Sequence, residues 1–269
     1  MYNLLSKFIN KEEVGFFRRK SSTYQFLEER GIAIPELYYT ATEEVSNDLF
    51  DHLPEEFVMK PDIGASGRGI MLLRKHGGGY IDTTGEVYTV ESLVWRVNAV
   101  IKNKGTLLND SYLFQQWLGV HEDLRKISPR GIVDFRMYFV NKRFLYCRMR
   151  IPTPESCGLA NVAKGAVVVT VVEDGTVTDT PYWKDGTEPD FLGAVNPTTG
   201  ESMLGYEVPH WSRIMEGASM VPPHLSSRLV CVDGTLCPDD RFRVIEVTLA
   251  PSAKPFTGHE HLLLELNRV

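Results

Sequence analysis

Phe57-Val58-Met59-Lys60-Pro61-Asp62-Ile63-Gly64-Ala65-Ser66-Gly67-Arg68-Gly69-Ile70-Met71-Leu72-Leu73 carries the pattern that decides the fold. Phe57–Lys60 reads as a short strand and Ile70–Leu73 as a second. Between them lies a glycine-rich loop whose backbone N–H groups can approach phosphate oxygens. Lys60, at the end of the first strand, can supply a point charge to such phosphates. Gly64 and Gly69 have P-loop spacing, but Ile70 stands where the lysine must follow, and no Ser or Thr comes next. The dinucleotide-binding pattern fails as well, because the glycine spacing is reversed and a strand follows instead of a helix. On glycine spacing alone, a plain hairpin turn is the better account.

Working outward, Tyr80–Thr89 has a hairpin pattern turning at Thr84-Gly85. Val90, Leu93, Val94, Val97, Val100 and Ile101 recur at helical spacing, and Tyr112-Leu113-Phe114 restarts a strand. Residues 45–118 therefore read as a small α+β lobe. Residues 1–44 read as helical, with Ser22-x-x-Gln25 as a capping box and Gly31 as the stop before Pro35. Residues 119–269 carry the longer strands. Val133, Phe135, Met137 and Phe139 alternate with Asp134, Arg136, Tyr138 and Val140, and Leu145–Ile151 alternates likewise. A three-residue turn at Asn141–Arg143 places Asp134 opposite Arg150 and Arg136 opposite Arg148, all on one face. A two-residue turn would break that parity. Ala166–Val172, apolar except for Thr170, reads as a strand buried on both faces, and Glu173-Asp174-Gly175 turns it. Pro209–Ala218 reads as a helix, and Leu229–Asp233 and Arg243–Leu249 as the last strands.

The chain has 269 residues, 43% hydrophobic and 24% charged, so it can bury a large core. Its net charge of −6 lacks the basic field needed to wrap a nucleic-acid backbone. No apolar run approaches the ~20 residues needed to span a bilayer, and Met1–Asn10 does not read as a signal peptide. A cytoplasmic protein without membrane insertion is expected. Cys147, Cys157, Cys231 and Cys237 are too scattered for a disulfide framework and read as thiols. The histidines, His52, His76 and His121 among them, are scattered and read as structural or exposed.

Two further constellations carry chemistry. Asp233 ends one strand, and Glu246 and Thr248 share a face of another. Antiparallel pairing would bring Asp233 near Glu246, giving hard oxygen ligands suited to Mg²⁺. The plain alternative is the solvent face of an amphipathic strand. The face holding Asp134, Arg136, Arg148 and Arg150, followed by Asn161 and Lys164, could neutralise phosphate charge. Its plain alternative is a solvated ion-pair surface.

Taken in order, Lys60-Pro61 with the glycine loop, Gln115-Gln116-Trp117-Leu118, Asp134-Phe135-Arg136, Arg150, Asn161 before Lys164-Gly165, Asp233, and Val244-Ile245-Glu246-Val247-Thr248 resemble the ATP-grasp superfamily. The likeness runs from about residue 18 to 256. It is greatest to the alpha-L-glutamate-ligase-like and sugar-transfer-associated branch. Asn196-Pro197-Thr198-Thr199-Gly200 and Gly205-Tyr206-Glu207-Val208-Pro209-His210-Trp211 resemble that branch's later segment.

The resemblance implies an α+β ATP-grasp fold, two lobes with ATP between them, after a short helical segment. It implies that Lys60 reaches the nucleotide phosphates, that Gly64, Ala65, Ser66 and Gly67 fold over them, and that Lys20 matches an earlier lysine. Gln116, Trp117 and Leu118 would line the adenine, Asp134 would lie near the ribose, and Asn161 would lie at the nucleotide. Arg150 would contact phosphates, with Arg136 and Lys164 as further catalytic cations. Asp233, Glu246 and Thr248 would hold Mg²⁺, Thr248 standing where the family usually has Asn. The implied reaction joins a small-molecule carboxylate to an amine through an acylphosphate, in surface-polysaccharide or amino-acid-conjugate synthesis. A phosphotransferase and a non-catalytic nucleotide-binding module are the alternatives. Only about 45 residues precede the first lobe, where the family usually has a full α/β domain, which leaves three alternatives for that part of the acceptor site: a partner protein supplies it, a second copy supplies it, or it is not supplied at all.

Overall fold

The computed structural model describes residues 6–64, 67–102, 111–178 and 195–251. It divides into two compact units. The smaller comprises Arg19–Ser21 and Pro35–Leu118, and the larger the described parts of Met1–Arg18, Ser22–Ile34 and Gly119–Val269. Among the described residues no helix is long and apolar enough to cross a membrane.

Two helices open the chain, α1 (Lys11–Phe17) and α2 (Lys20–Glu28). Asn10 caps α1, its Oδ1 accepting from the amides of Glu12 and Glu13. The capping box expected at Ser22 is not formed, because α2 starts two residues earlier and Gln25 turns to Glu29. A distant carboxylate supplies the cap instead: Asp62 Oδ1 accepts from the Ser21 amide at 2.7 Å. Gly31, at φ +67°, adopts the left-handed conformation expected just after the helix.

The smaller unit is a six-stranded antiparallel sheet in the order β1 (Leu37–Ala41), β6 (Tyr112–Gln116), β2 (Glu56–Pro61), β3 (Met71–His76), β4 (Gly79–Asp82), β5 (Val87–Tyr88). The helical reading of residues 1–44 therefore fails beyond Pro35. Leu37-Tyr38-Tyr39-Thr40-Ala41 is rich in residues that suit a half-buried sheet, and it pairs with β6. The expected hairpin is present, with Tyr80 opposite Tyr88 and Gly85 at φ +90° in the turn. Besides the short helix α3 (Asp48–Asp51), the unit has α4 (Val90–Lys102), whose Leu93, Val97 and Ile101 are buried at i, i+4, i+8. They pack with Phe50, Phe57, Tyr80 and Phe114, whose rings meet edge-on or tilted at 5.2–6.2 Å.

The larger unit holds a second six-stranded antiparallel sheet, in the order β10 (Val177–Thr178), β9 (Val167–Val171), β8 (Arg143–Ile151), β7 (Asp134–Val140), β11 (Leu229–Leu236), β12 (Phe242–Thr248). One face is apolar. Phe135, Met137, Met149, Val169, Val232 and Val247 pack there with Trp211, Ile214 and Ala218 of α5 (Trp211–Ser219). The segment expected as a loop, Gly234–Phe242, is shorter than read, since β11 continues to Leu236 and β12 starts at Phe242. All four cysteines are free thiols, three of them buried.

The β7–β8 pairing matches the expected partners but reaches them differently. The turn has two residues, Asn141 and Lys142, both at positive φ as a right-twisted hairpin requires. That turn alone would flip the charged residues into the core. A β-bulge between Tyr138 and Phe139 leaves Leu145 as an extra residue in β8 and restores the parity. Asp134 thus lies opposite Arg150, and Arg136 opposite Arg148.

Candidate active site

In the larger unit the sheet face opposite the core carries one continuous polar row. Register places Glu246, Asp233, Arg136, Arg148 and Thr170 side by side across β12, β11, β7, β8 and β9. Asp134 and Arg150 form the neighbouring row. A second bulge aims the acidic end: Asp233 pairs with Glu246 but Gly234 pairs with Val244, leaving Ile245 extra. The Ile245 carbonyl accepts from the Tyr24 hydroxyl at 3.0 Å. Gly234 is required there, because a Cβ would stand 2.6 Å from the Arg243 carbonyl oxygen and 2.4 Å from Phe242 Cζ.

The charges interlock. Asp233 takes a two-pronged contact from the Arg136 guanidinium and a third, at 3.1 Å, from Arg150 Nη2. Arg150 also binds Asp134. Burial works against the charge on Asp233, but Arg136 and Arg150 outweigh it and hold the carboxyl below its usual range. Asp134 goes the other way. Burial, reinforced by the charge of Asp233, pushes it up to about 7 even though Arg150 opposes the shift.

Asp233, Glu246 and Thr248 supply only hard oxygen donors, and Asp233 is held ionised, which fits Mg²⁺. Asp233 Oδ1 accepts from Arg136 alone among the described contacts, so a lone pair remains for an ion. At the other end of the row the Thr170 hydroxyl is buried and has no hydrogen-bond partner among the described residues. An orphaned hydroxyl beside two arginines suits a polar, anionic ligand. Asn161 and Lys164 lie in the β8–β9 connection, on the 3₁₀ turn Val162–Lys164. Asn161 Oδ1 caps that turn by accepting from the Ala163 amide at 2.9 Å, and Lys164 is exposed.

In the smaller unit Lys60 is the penultimate residue of β2 and is buried, opposite Leu113. Lys20 donates from Nζ to the carbonyls of Asp62, at 3.4 Å, and Gly64, at 3.2 Å, so it fastens the base of the glycine loop. The far end is fixed at Gly69, whose φ of +75° and 2.9 Å Cβ clearance to Pro61 Cγ exclude a side chain, while Tyr112 donates to its carbonyl at 2.8 Å. Gly64 and Gly67 belong to this loop, and Ala65 and Ser66 lie outside the described residues. Gln116 ends β6, where its Oε1 accepts from the Glu36 amide at 3.3 Å. Trp117 lies 5.9 Å from the Arg74 guanidinium, and Leu118 is buried.

Two residues of these sites are given no functional role by the sequence alone. Asp62 is 1% exposed and accepts from the Ser21 amide and hydroxyl, from Ser111 and from Arg19. Its position two residues after Lys60 and two before Gly64 was the available signal. Thr170 was noticed as the one polar residue in an apolar strand, but without a role.

The sequence model of a family described as sugar-transfer associated ATP-grasp matches residues 2–268. No curated protein matches the sequence. Among solved structures, D-alanine–D-alanine ligase from Bacillus anthracis complexed with ATP is similar at TM-score 0.53 and 15% identity, over 94% of this chain and 65% of that one. N5-carboxyaminoimidazole synthetase from Staphylococcus aureus complexed with ADP gives 0.51 and 10%, over 91% and 48%. D-cycloserine synthetase gives 0.54 and 13%, over 95% and 71%. At such identities the likeness is one of fold, and the chain spans just under two thirds of the first of these structures and about half of the second.

Proposed function

The chain belongs to the sugar-transfer-associated ATP-grasp family, and from that premise we propose that it is an ATP- and Mg²⁺-dependent ligase joining a small-molecule carboxylate to an amine. The observation that carries this reading is the polar row, in which a buried ionised carboxylate and a facing glutamate adjoin three arginines and an orphaned hydroxyl on one sheet face. In-line phosphoryl transfer asks for positioning and charge stabilisation and needs no protein nucleophile.

Bound Mg²⁺-ATP would supply a phosphoryl group to the carboxylate, with ADP as the leaving group, and an amine would then displace phosphate from the acylphosphate to give the amide. Asp233 and Glu246, with Thr248 two residues further along β12, hold the metal ion. Arg136 keeps Asp233 ionised and oriented while its own charge faces the phosphates. Arg150 is shared between Asp134 and Asp233. A move of Arg150 toward a phosphate would leave Asp233 still paired with Arg136. Asn161 Oδ1 is committed to its turn, so a nucleotide contact would come from Nδ2. Lys164 supplies an exposed cation beside it. In the smaller unit, Lys60 and the amides of the Gly64–Gly69 loop bind phosphate, Lys20 sets the loop's base, and Gln116–Leu118 provide the adenine edge.

The carboxylate and amine belong, on this reading, to sugar-linked or amino-acid-conjugate substrates, with a second copy or partner protein completing the acceptor site. A cytoplasmic location follows from the need for ATP.

Thermal denaturation with ATP, with and without Mg²⁺, tests the site first. Saturation at a hundred times Kd adds about 2.7 kcal/mol of stability, which should appear as a metal-dependent rise in Tm. Glu246→Gln should remove the Mg²⁺-dependent part and leave the Tm of the free protein in place. Screening acids with amines for ADP release, with mass analysis of products, then separates ligase from phosphotransferase by amide against phosphate ester. No Tm rise at millimolar Mg²⁺-ATP, or full turnover in Glu246→Gln, would overturn the assignment.

A further inference from the structure

Away from the polar row, the larger unit draws four side chains together from three distant segments. His121 and Asp123 lie at the start of the 3₁₀ turn Glu122–Leu124, His210 directly precedes α5, and Asp240 lies in the turn from β11 to β12. The two imidazoles meet at 4.7 Å between ring centroids and 62° between planes. His121 Nε2 is 3.0 Å from Asp240 Oδ1, and His210 Nε2 is 2.7 Å from Asp123 Oδ2. One donor atom from each of His121, His210 and Asp240 falls within 4.8 Å of the others. The group lines a concavity of about 600 Å³ whose apolar wall includes Val120 and Pro238.

We propose that this cluster is a second metal site, for a late first-row divalent ion of the Zn²⁺ type, bound by His121, His210 and Asp240 with Asp123 as the fourth ligand. Two imidazole nitrogens with carboxylate oxygens are the donor set Zn²⁺ takes in four-coordinate sites, whereas Mg²⁺ takes oxygens alone. The chemistry thus separates this site from the row at Asp233 and Glu246. Donors about 2.0–2.1 Å from an ion in a tetrahedron lie a little over 3 Å apart, so the observed spacing closes with small side-chain rotations.

Two features mark the cluster as more than a surface ion-pair group. His121 is 6% exposed, and its two ring nitrogens lie 3.9 Å from Asp123 Oδ2 and 3.0 Å from Asp240 Oδ1, so the buried imidazole is fixed between two carboxylates. His210 adopts φ +56°, a left-handed conformation costly for a residue with a Cβ, yet its side chain makes no hydrogen bond capping the helix it precedes. The conformation instead aims the ring at His121 and Asp123. Arg213 Nη1, 2.7 Å from Asp240 Oδ1, fixes that carboxylate from outside, as outer partners of metal ligands do.

The hydrogen bonds also define the metal-free state. His121 Nδ1 accepts from the Asp123 amide at 3.2 Å, so its proton sits on Nε2 and is donated to Asp240. An ion bound at Nε2 would displace that proton, the ring would carry its proton on Nδ1 instead, and the amide contact would be released.

The test uses the full chain after stripping with chelator. Titration with Co²⁺ should produce one equivalent of the intense visible absorption of a four-coordinate ion, and Zn²⁺ should displace it. His210→Ala and Asp240→Asn should each raise the Zn²⁺ Kd at least about 10-fold, while Glu246→Gln should leave it unchanged. Only weak absorption like that of hydrated Co²⁺ in the unmodified chain would overturn the site, and this arm needs no variant to fold. So would Zn²⁺ affinity that survives His210→Ala and Asp240→Asn together, or that is lost in Glu246→Gln.

Discussion

Removing the Asp62 carboxylate should cost the smaller unit more than any other single polar substitution at the base of the glycine loop. In Asp62→Ala the Ser21 amide loses its cap at 2.7 Å, a loss of about 1 kcal/mol. The Ser111 hydroxyl, buried and 2.9 Å from Oδ2, loses a charge-assisted bond worth about 1.5–3 kcal/mol. Arg19, whose side chain is 38% exposed, adds at most about 1 kcal/mol. The total is about 2.5–5 kcal/mol, or about 5–20 °C in Tm for a chain of this size. Asp62→Asn keeps an oxygen for the Ser21 amide, and its NH₂ can donate to the serine hydroxyls, so about 1 kcal/mol should be lost. Urea unfolding of the three proteins measures the series. An Asp62→Ala variant within about 0.5 kcal/mol of the parent would refute the organising role. An Asp62→Asn variant as unstable as Asp62→Ala would refute the geometric account and leave charge alone as the cause.

Two further outcomes follow from the larger unit. Gly234→Ala places a Cβ 2.6 Å from the Arg243 carbonyl oxygen and should destabilise by about 1–3 kcal/mol in urea unfolding while weakening the Mg²⁺-ATP response through a displaced Asp233. Asp134 sits at about 7 in the folded chain against about 3.9 unfolded, so its contribution is fully present below about pH 4 and is lost as pH rises through 7. Stability measured from pH 5 to 8 should therefore fall along the parent's curve, and Asp134→Asn should flatten it. Asp233, held low, acts oppositely and weakens the fold only as pH drops below the ordinary carboxylate range.

The strands and helices that carry strong periodicity were legible in the sequence. Leu93, Val97 and Ile101 could face only a core, and the β7–β8 alternation forced Asp134, Arg136, Arg148 and Arg150 to one side. Local chemistry misled where long-range contacts decide. Ser22 and Gln25 satisfy a capping pattern, yet Asp62, forty residues away in sequence, provides the cap and shifts the start of α2. Leu37–Ala41 lacks a long run of its own and becomes a strand because β6 offers an edge. The candidate site divides in the same way. Asp233 facing Glu246 follows from antiparallel register, which a sequence suggests. Two arginines converging on Asp233 do not, because side-chain reach across three strands leaves no trace in spacing. His121 and His210, 89 positions apart, meet only through the fold.

The extra residue in β8 makes the site's spacing degenerate. A two-residue turn with Leu145 bulged out uses the same number of residues between Asp134 and Arg150 as a three-residue turn with none. The two solutions are interchangeable from the standpoint of the charged pairs. The hairpin tip can thus drift between them under mutation with no gap opening in the chain, and the ion pairs never register the change. Deleting Leu145 by itself is different: it would remove the bulge and leave every pair of the hairpin, from Val140 with Arg143 to Asp134 with Arg150, on the face it already occupies.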